Sequence, residues 1–327
     1  EAMRAAWLER LREVALNRYP DPGARRLVQG LRRYLSLPED QGLLLGNGSD
    51  ELIQMILMSV AGEGRTVLAP EPTFVMYRLI AEVLGLEYVP VPLGEDFALD
   101  GAAMLEAIRR RDPEVVFLAY PNNPTGNLFD REVVEAVLEA ATGLVVIDEA
   151  YSAFATDSFL PELGRWPNLL VLRTLSKTGL AGLRLGMLLG PPQWLEEIDK
   201  VRLPYNINVL TQVSAAFALE HAEVLEDQCA RIRADRERLH AALAALEGVQ
   251  VWPSQANFLL FRVPRGQGRA VFAGLRSRGV LIKAFGNGPL ADCLRVTVGT
   301  PEENTRFLSA LRETLRALGS VETAHTS

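Results

Sequence analysis

The chain has few of the residues that build disulfide frameworks or metal centres. Its 327 residues include two cysteines and three histidines. Two cysteines cannot form a disulfide framework and the histidines lack the spacing of metal ligands, so we expect no metal site and a reducing, cytoplasmic location. No apolar run approaches the roughly 20 residues that span a bilayer, which excludes a membrane protein of that kind. The net charge of −7 disfavours nucleic acid as a partner.

Lysine is also scarce. The chain has 34 lysines and arginines, and among them only Lys177, Lys200 and Lys283 are lysines. An amine can lose its proton and attack a carbonyl carbon, whereas a guanidinium stays charged and is a poor nucleophile. Lys177 follows the apolar stretch 169–172, where a strand is expected to end. From its position alone, an ordinary surface lysine explains it as well as a nucleophile does.

The first two thirds of the chain have the pattern of an α/β fold. Short apolar runs typical of buried strands alternate with helical sequence from about residue 24 to residue 190. The predicted strands are 66–69, 87–91, 115–119, 144–147 and 169–172, and helices are expected from Ala24, Ser49, Thr73, Gly101 and Asp130. This alternation predicts a three-layer, mostly parallel sheet with helices on both faces.

A second, smaller domain is expected after about residue 203. A long helical run at 211–247 leads there to strands at 257–263, 280–282 and 294–298, with helices from Arg269 and Pro301. That order is typical of an α+β domain. The first 18 residues have the apolar spacing of an amphipathic helix. We therefore predict a large domain at 22–203 and a small domain formed by 1–21 and 204–327.

Candidate binding groups follow two of the predicted strands, and ligands of parallel sheets bind at that edge. Asp148 comes directly after strand 144–147. A half-buried carboxylate there needs a cationic partner, such as a protonated ring nitrogen, unless it caps a helix. The turn 121–126 reads Pro-Asn-Asn-Pro-Thr-Gly. With its two asparagines it could hold an amide side chain rigidly toward a phenolate or carbonyl oxygen, or it could be a plain turn.

Two further segments indicate a phosphate site. Residues 46–51 read Gly-Asn-Gly-Ser-Asp-Glu and open a helix whose first amides could approach an anion, although Ser49 or Asp50 could simply cap it. Ser176 and Arg184 flank the lysine and could grip the same phosphate, Arg184 by a bidentate fork. An amine nucleophile, an acid for a ring nitrogen, an amide for a ring oxygen and a phosphate cradle together describe pyridoxal phosphate.

The motifs resemble those of the fold-type I pyridoxal-phosphate aminotransferases and, within them, of the histidinol-phosphate aminotransferase family. They span nearly the whole chain in the family's order, at residues 17–22, 46–51, 72–77, 121–126, 148–151, 173–177, 181–186 and 294–300. The resemblance implies amino transfer between histidinol phosphate and 2-oxoglutarate, or between glutamate and imidazole acetol phosphate in histidine biosynthesis. Another aminotransferase and a threonine-phosphate decarboxylase of the same fold are alternatives. A non-enzymatic effector-binding module would be expected to carry a basic DNA-binding segment, which the sequence does not show.

The resemblance also implies the roles of the cofactor-binding residues. Lys177 would hold the cofactor covalently and move the proton at substrate Cα, and Asp148 would pair with the pyridinium nitrogen. Tyr19 would reach the phosphate from the neighbouring subunit, which implies a homodimer. The remaining contacts would come from Asn123 and Tyr151 at the phenolic oxygen, Phe74 on the ring face, and Gly48, Ser49, Asp50, Ser176 and Arg184 around the phosphate.

For the substrates, the resemblance assigns the anionic end to Arg295. Lys283 stands where many relatives have a second arginine, and it could still attract a phosphate as a point charge. Tyr205, Asn208 and Asn257 are further candidates for the substrate pocket, and ordinary packing explains each of them as well.

Two features depart from the family's pattern. An Asn-Glu-Asn-Pro-like stretch usually precedes the first helix, and the sequence shown begins without it. Lys177 and Arg184 are seven positions apart, one fewer than the resemblance leads us to expect. The loop between them is therefore expected to differ from that of the family.

Overall fold

The computed structural model describes residues 2–286 and 288–325, with side chains up to residue 319. The helices and strands of the first 203 residues are α1 Ala2–Arg12, α2 Arg25–Tyr34, β1 Gly42–Gly46, α3 Ser49–Val60, β2 Thr66–Glu71, α4 Met76–Val83, β3 Glu87–Pro92, α5 Gly101–Arg111, β4 Val115–Ala119, α6 Arg131–Ala140, β5 Leu144–Asp148, β6 Leu169–Thr174, β7 Gly186–Gly190 and α7 Pro192–Asp199.

These strands form a seven-stranded sheet in the order β1-β7-β6-β5-β4-β2-β3. The strands β2 to β6 are parallel, and β7 runs antiparallel to its neighbours β1 and β6. Alternate residues of β4 enter two different cores. Val116 and Leu118 belong to a core with side chains of α5 and α6, whereas Val115 and Phe117 belong to one with side chains of α3 and α4. Helices therefore cover both faces, and the predicted three-layer α/β architecture is confirmed.

The rest of the chain builds a smaller α+β unit. Its elements are α8 Val209–Leu219, α9 Ala222–Ala244, β8 Gln250–Val251, β9 Phe258–Arg262, α10 Gly268–Ser277, β10 Lys283–Ala284, β11 Cys293–Thr297 and α11 Pro301–His325. The strands form an antiparallel sheet in the order β10-β11-β9-β8. Side chains of α9, α10 and α11 share a core with it. The predicted α+β character is confirmed, and the domain boundaries stay a prediction.

Two strands of the large sheet, β1 and β7, were not predicted from the sequence. They read Gly-Leu-Leu-Leu-Gly and Gly-Met-Leu-Leu-Gly. They pair with each other so that Gly42 lies opposite Gly190 and Gly46 opposite Gly186. Both lack the β-branched residues that mark a strand locally, so the pairing between distant segments defines them.

The small unit differs from its prediction at several points. Strand β8 was not predicted, and the helix expected over the first 18 residues ends at Arg12. The helical run predicted at 211–247 is two helices, because the backbone leaves helical geometry at His221, with φ −127° and ψ 35°. The strand predicted at 280–282 is wrong, since the strand residues are Lys283 and Ala284, opposite Arg295 and Leu294. None of the helices in the described part of the chain combines the length and apolar character that crossing a bilayer requires.

Candidate active site

A cavity opens to solvent at the carboxyl edge of β4, β5 and β6, and the space within it, its open mouth included, is about 520 Å³. The lining residues are Ser49, Asp50, Phe74, Ala119, Pro121, Asn123, Asp148, Ala150, Tyr151, Ser176, Lys177 and Arg184. Nine of these were singled out from the sequence, so the structure brings most of the predicted cofactor residues together. Their individual roles stay predictions.

Lys177 lies directly after β6, in the short helical turn Ser176–Leu180. Burial lowers the pKa of its amine, Asp148 raises it and Arg295 lowers it further. Its Nζ lies 5.3 Å from the centroid of the Tyr151 ring. Because burial favours the neutral amine, the side chain is suited to act as a nucleophile or a base.

The chain from Lys177 to Arg184 includes two residues with positive φ. Gly179 has a φ of +93° and Arg184 a φ of +49°. Glycine adopts such angles readily, whereas for a residue with a side chain they cost about 1–2 kcal/mol. With the backbone in this conformation, Arg184 lines the cavity.

The start of α3 and Arg184 form a cradle suited to an anion. Gly48 has a φ of +89°, and a Cβ at this position would collide with the guanidinium of Arg184. The helix begins at Ser49 and its N-cap is Gly48, with no side chain capping it. Its first backbone N–H groups lack partners within the helix and, with the arginine, favour a phosphate. Asp50 does not act as the cap, and its Oδ2 lies 3.4 Å from Nη2 of Arg184.

Asp148 is 5% exposed, and burial raises its pKa to about 6. The Tyr77 hydroxyl donates to its Oδ2 at 2.6 Å, and the backbone N–H of Ala150 donates to its Oδ1 at 3.0 Å. Both bonds lower the pKa, as does the amine of Lys177. A buried acid held in this way would be stabilised further by a cation, so the site suits a protonated ring nitrogen.

Asn123 connects the cavity to the small sheet. Its Oδ1 accepts a hydrogen bond from Nη1 of Arg295 on β11. The guanidinium carbon of Arg295 lies 4.7 Å from the centroid of the Phe258 ring. With its oxygen engaged, the amide of Asn123 has its N–H groups to offer to a ligand oxygen. Arg295 therefore lies beside the cavity, as a residue that binds the distal end of a substrate should.

Among the predicted residues outside the cavity lining, Tyr19, Tyr205 and Lys283 are exposed in this single chain. Tyr19 is 81% exposed and stacks on Tyr205, with ring centroids 4.5 Å apart. Lys283 lies opposite Arg295 on the adjacent strand, and its side chain is exposed. The structure thus leaves Tyr19 and Tyr205 on the surface and places Lys283 at the rim of the small sheet.

The two asparagine candidates have identifiable structural contacts. The carbonyl of Asn257 accepts a hydrogen bond from the backbone N–H of Val298 at 2.9 Å. Asn208 caps α8, accepting at Oδ1 from the backbone N–H of Thr211 at 2.9 Å. Packing and capping therefore account for these positions, and a substrate contact by Asn257 stays a prediction.

Sequence reasoning missed the residues that hold the site residues in place through hydrogen bonds. Tyr77 belongs to one of the motifs without a role of its own, yet it donates to Asp148. Asn122 is fully buried, and its Nδ2 donates to the Pro72 carbonyl at 3.0 Å and to Thr125 Oγ1 at 2.7 Å, bracing the turn that carries the next residue. Thr174 Oγ1 accepts from the backbone N–H of Ser176 at 3.1 Å. Nothing in their local sequence separates such residues from ordinary packing.

The family model described as aminotransferase class I and II matches residues 1–311. The chain belongs to this family. A histidinol-phosphate aminotransferase 2 of Nitrosococcus oceani is 62% identical over 309 residues, which cover 94% of this chain and 86% of that protein. A protein of the same name from Cupriavidus pinatubonensis is 52% identical over 322 residues, covering 96% of this chain and 87% of its own length.

A solved structure shows the same fold. Histidinol-phosphate aminotransferase from Sinorhizobium meliloti, in complex with pyridoxal-5′-phosphate, has a TM-score of 0.87 and 30% sequence identity, covering 95% of this chain and 87% of that one. The resemblance drawn from the sequence motifs, the enzyme class and the fold class are confirmed.

Proposed function

We propose that this aminotransferase moves an amino group between histidinol phosphate and 2-oxoglutarate, and between glutamate and imidazole acetol phosphate in the biosynthetic direction. The observation that carries the proposal is the meeting of Lys177, Asp148 and Arg184 in one cavity, with Arg295 beside it. Identity of 62% and 52% to two histidinol-phosphate aminotransferases, over nearly the whole chain, supports this substrate.

The cofactor is pyridoxal phosphate, which supplies an electron sink when substrate Cα loses its proton. The cavity fits this molecule at three points. Lys177 offers an amine for covalent attachment, Asp148 a buried carboxylate for the ring nitrogen, and the cradle of Gly48 and Arg184 a place for the phosphate. We assign the backbone N–H of Ser49 and the hydroxyl of Ser176 to the same phosphate, as the cavity lining supports.

Lys177 is the residue we assign to proton transfer. To remove a proton from substrate Cα its Nζ must be neutral, and burial shifts the pKa of the amine in that direction. Arg295 adds to this shift. A cation that binds the anionic end of the substrate thus also favours the basic form of the lysine.

Asn123 and Tyr151 are assigned to the phenolic oxygen of the ring and Phe74 to its face. Asn123 is fixed by its bond to Arg295, which also binds the substrate anion in our proposal. Binding of substrate to Arg295 should therefore affect the cofactor ring, because the side-chain amide of Asn123 contacts both. Because the bonds of such a network are coupled, the two contacts should not be energetically independent.

We further propose a homodimer, in which Tyr19 reaches the phosphate of the neighbouring subunit. Its exposure of 81% and its absence from the lining of its own cavity support this. Two exposed apolar side chains four residues apart on α4 give a second reason, since Leu79 is 44% and Val83 85% exposed. Cys229 and Cys293 are both free, which agrees with the cytoplasmic location that we propose.

The substrate is tested by paired half-reactions. Protein supplied with pyridoxal phosphate, histidinol phosphate and 2-oxoglutarate should produce glutamate. The Arg295→Leu variant should raise the KM for histidinol phosphate, whereas Arg262→Leu, an arginine of the adjacent strand β9 outside the cavity lining, should leave it unchanged. Absence of glutamate, together with reaction of phenylalanine or threonine phosphate, would overturn the substrate assignment.

A further inference from the structure

Tyr77 contacts Asp148 from the face of the sheet that α3 and α4 cover. It lies on α4, is fully buried, and donates its hydroxyl to Oδ2 of Asp148 at 2.6 Å. Its ring stacks on Phe117, with centroids 4.5 Å apart and planes within 8°. The same ring makes a T-shaped contact with Phe74, at a centroid distance of 5.6 Å. These two contacts fix the ring and therefore also fix the position of its hydroxyl.

The two oxygens of Asp148 each have a separate donor. Tyr77 donates to Oδ2, and the backbone N–H of Ala150 donates to Oδ1. Hydrogen bonds to a carboxylate favour its charged form, and two donors at fixed positions also prevent its rotation. Burial and the nearby Asp148 raise the pKa of the Tyr77 hydroxyl well above its ordinary value, so it stays protonated and remains a donor.

We propose that Tyr77 is a positioning residue, which fixes the orientation and the charge of the Asp148 carboxylate toward the cavity where the ring nitrogen of the cofactor binds. This inference rests on the proposed function in one respect, that pyridoxal phosphate occupies this cavity. The inference does not depend on which amino substrate the enzyme uses. Tyr77 makes the bond to the aspartate, and the aspartate makes the contact to the cofactor.

Other charged and titratable groups face Asp148 as well. Lys177, after β6, lowers the pKa of the carboxyl and Asp50, on α3, raises it. Tyr151, in the loop after β5, has a pKa that burial raises to about 12, and Asp148 contributes to that rise. All three groups remain when Tyr77 is replaced by phenylalanine. A change in the behaviour of Asp148 therefore reports on the lost hydroxyl.

The test is the affinity of the apoprotein for pyridoxal phosphate, measured across pH without amino substrate. Tyr77→Phe removes one oxygen and keeps the ring. Loss of a hydrogen bond to a charged group should weaken binding near neutral pH by about 10-fold or more. The lost bond lowers the pKa of Asp148, so its removal raises that pKa. The acid limb of the affinity profile, where affinity falls as the pH is lowered, should consequently move to higher pH.

Tyr120→Phe is the matched control. Tyr120 is also buried, and its hydroxyl donates to the carboxylate of Asp157 at 2.8 Å, outside the cavity lining. The same chemical change there should leave both the affinity and the acid limb as in the wild type. If Tyr77→Phe binds within about twofold of the wild type with an unmoved limb, the proposal is wrong.

Two further measurements separate positioning from general support of the fold. In an Asp148→Asn background, Tyr77→Phe should cause little additional loss, and an undiminished loss would show that the tyrosine acts only structurally. If Tyr77→Phe does not fold by circular dichroism, 3-fluorotyrosine placed at position 77 is the substitute. Its more acidic hydroxyl should move the limb to lower pH, and an unmoved limb would overturn the proposal. A wild-type protein that bound no pyridoxal phosphate would instead contradict the proposed cofactor.

Discussion

Replacing Gly48 by alanine tests the phosphate cradle at its tightest point. The new methyl group would collide with the guanidinium of Arg184, at a backbone position with φ +89°. With ψ 166° this position lies in a backbone region that is essentially restricted to glycine, so alanine should cost on the order of 1–3 kcal/mol of folding free energy. Displacement of the guanidinium should also remove a charge-assisted contact to the phosphate. Such a contact is worth about 1.5–3 kcal/mol, or roughly 10- to 150-fold in the dissociation constant of pyridoxal phosphate.

Gly64→Ala separates these two effects. Gly64 has a φ of +74°, but a Cβ there would have nothing within 4 Å. Urea unfolding of each apoprotein measures the loss of stability that each substitution causes by itself. Titration with pyridoxal phosphate should show a loss of affinity for Gly48→Ala and none for Gly64→Ala. If Gly48→Ala binds as tightly as Gly64→Ala, Arg184 does not contact the phosphate as we describe.

Two other predictions concern the charge network around the site. Arg295→Leu should raise the pKa of the Lys177 amine in the apoprotein, because Arg295 lowers it. Labelling of the lysine-bearing peptide across pH, followed by mass spectrometry, should show the midpoint moving upward, and a fixed or falling midpoint would contradict the assigned coupling. Glu149→Ala should cost about 3 kcal/mol in urea unfolding, because Glu149 is fully buried and accepts from Arg173 Nη2 at 2.7 Å. Glu197→Ala breaks a pair whose side chains are 65% and 62% exposed, so it should cost less than about 1 kcal/mol, and equal losses would refute the distinction.

The sequence predicted the parallel core of the fold because its strands carry their own signal. Strand β5 reads Leu-Val-Val-Ile-Asp, and all five residues are buried. A strand buried on both faces needs such a continuous apolar run, and the polar residue after it marks the sheet edge. The strand pattern alone therefore places Asp148 and Lys177 at the same edge. Strands β1 and β7 could not be recognised, because their Leu and Gly residues favour no strand until the two segments pair.

Residues that hold the site residues in place, such as Tyr77, could not be predicted from the sequence for a different reason. Tyr77 and Asp148 are 71 positions apart, and their contact depends on how α4 lies against the sheet. A tyrosine on the buried face of an amphipathic helix is ordinary core, and the sequence does not show where its hydroxyl points. Arg184 was predicted from the sequence, but its position depends on the positive φ angles of Gly179 and of Arg184 itself, which the sequence does not show.

The central claim is that Lys177 binds the cofactor covalently. The purified protein should absorb visible light in the presence of pyridoxal phosphate, and borohydride should remove this absorbance by reducing the bond between the lysine and the cofactor. Peptide mass spectrometry should then find the cofactor on Lys177, and Lys177→Ala should lose both the adduct and turnover. A reduced adduct on Lys200 or Lys283, or none in a protein that still transaminates, would contradict the account.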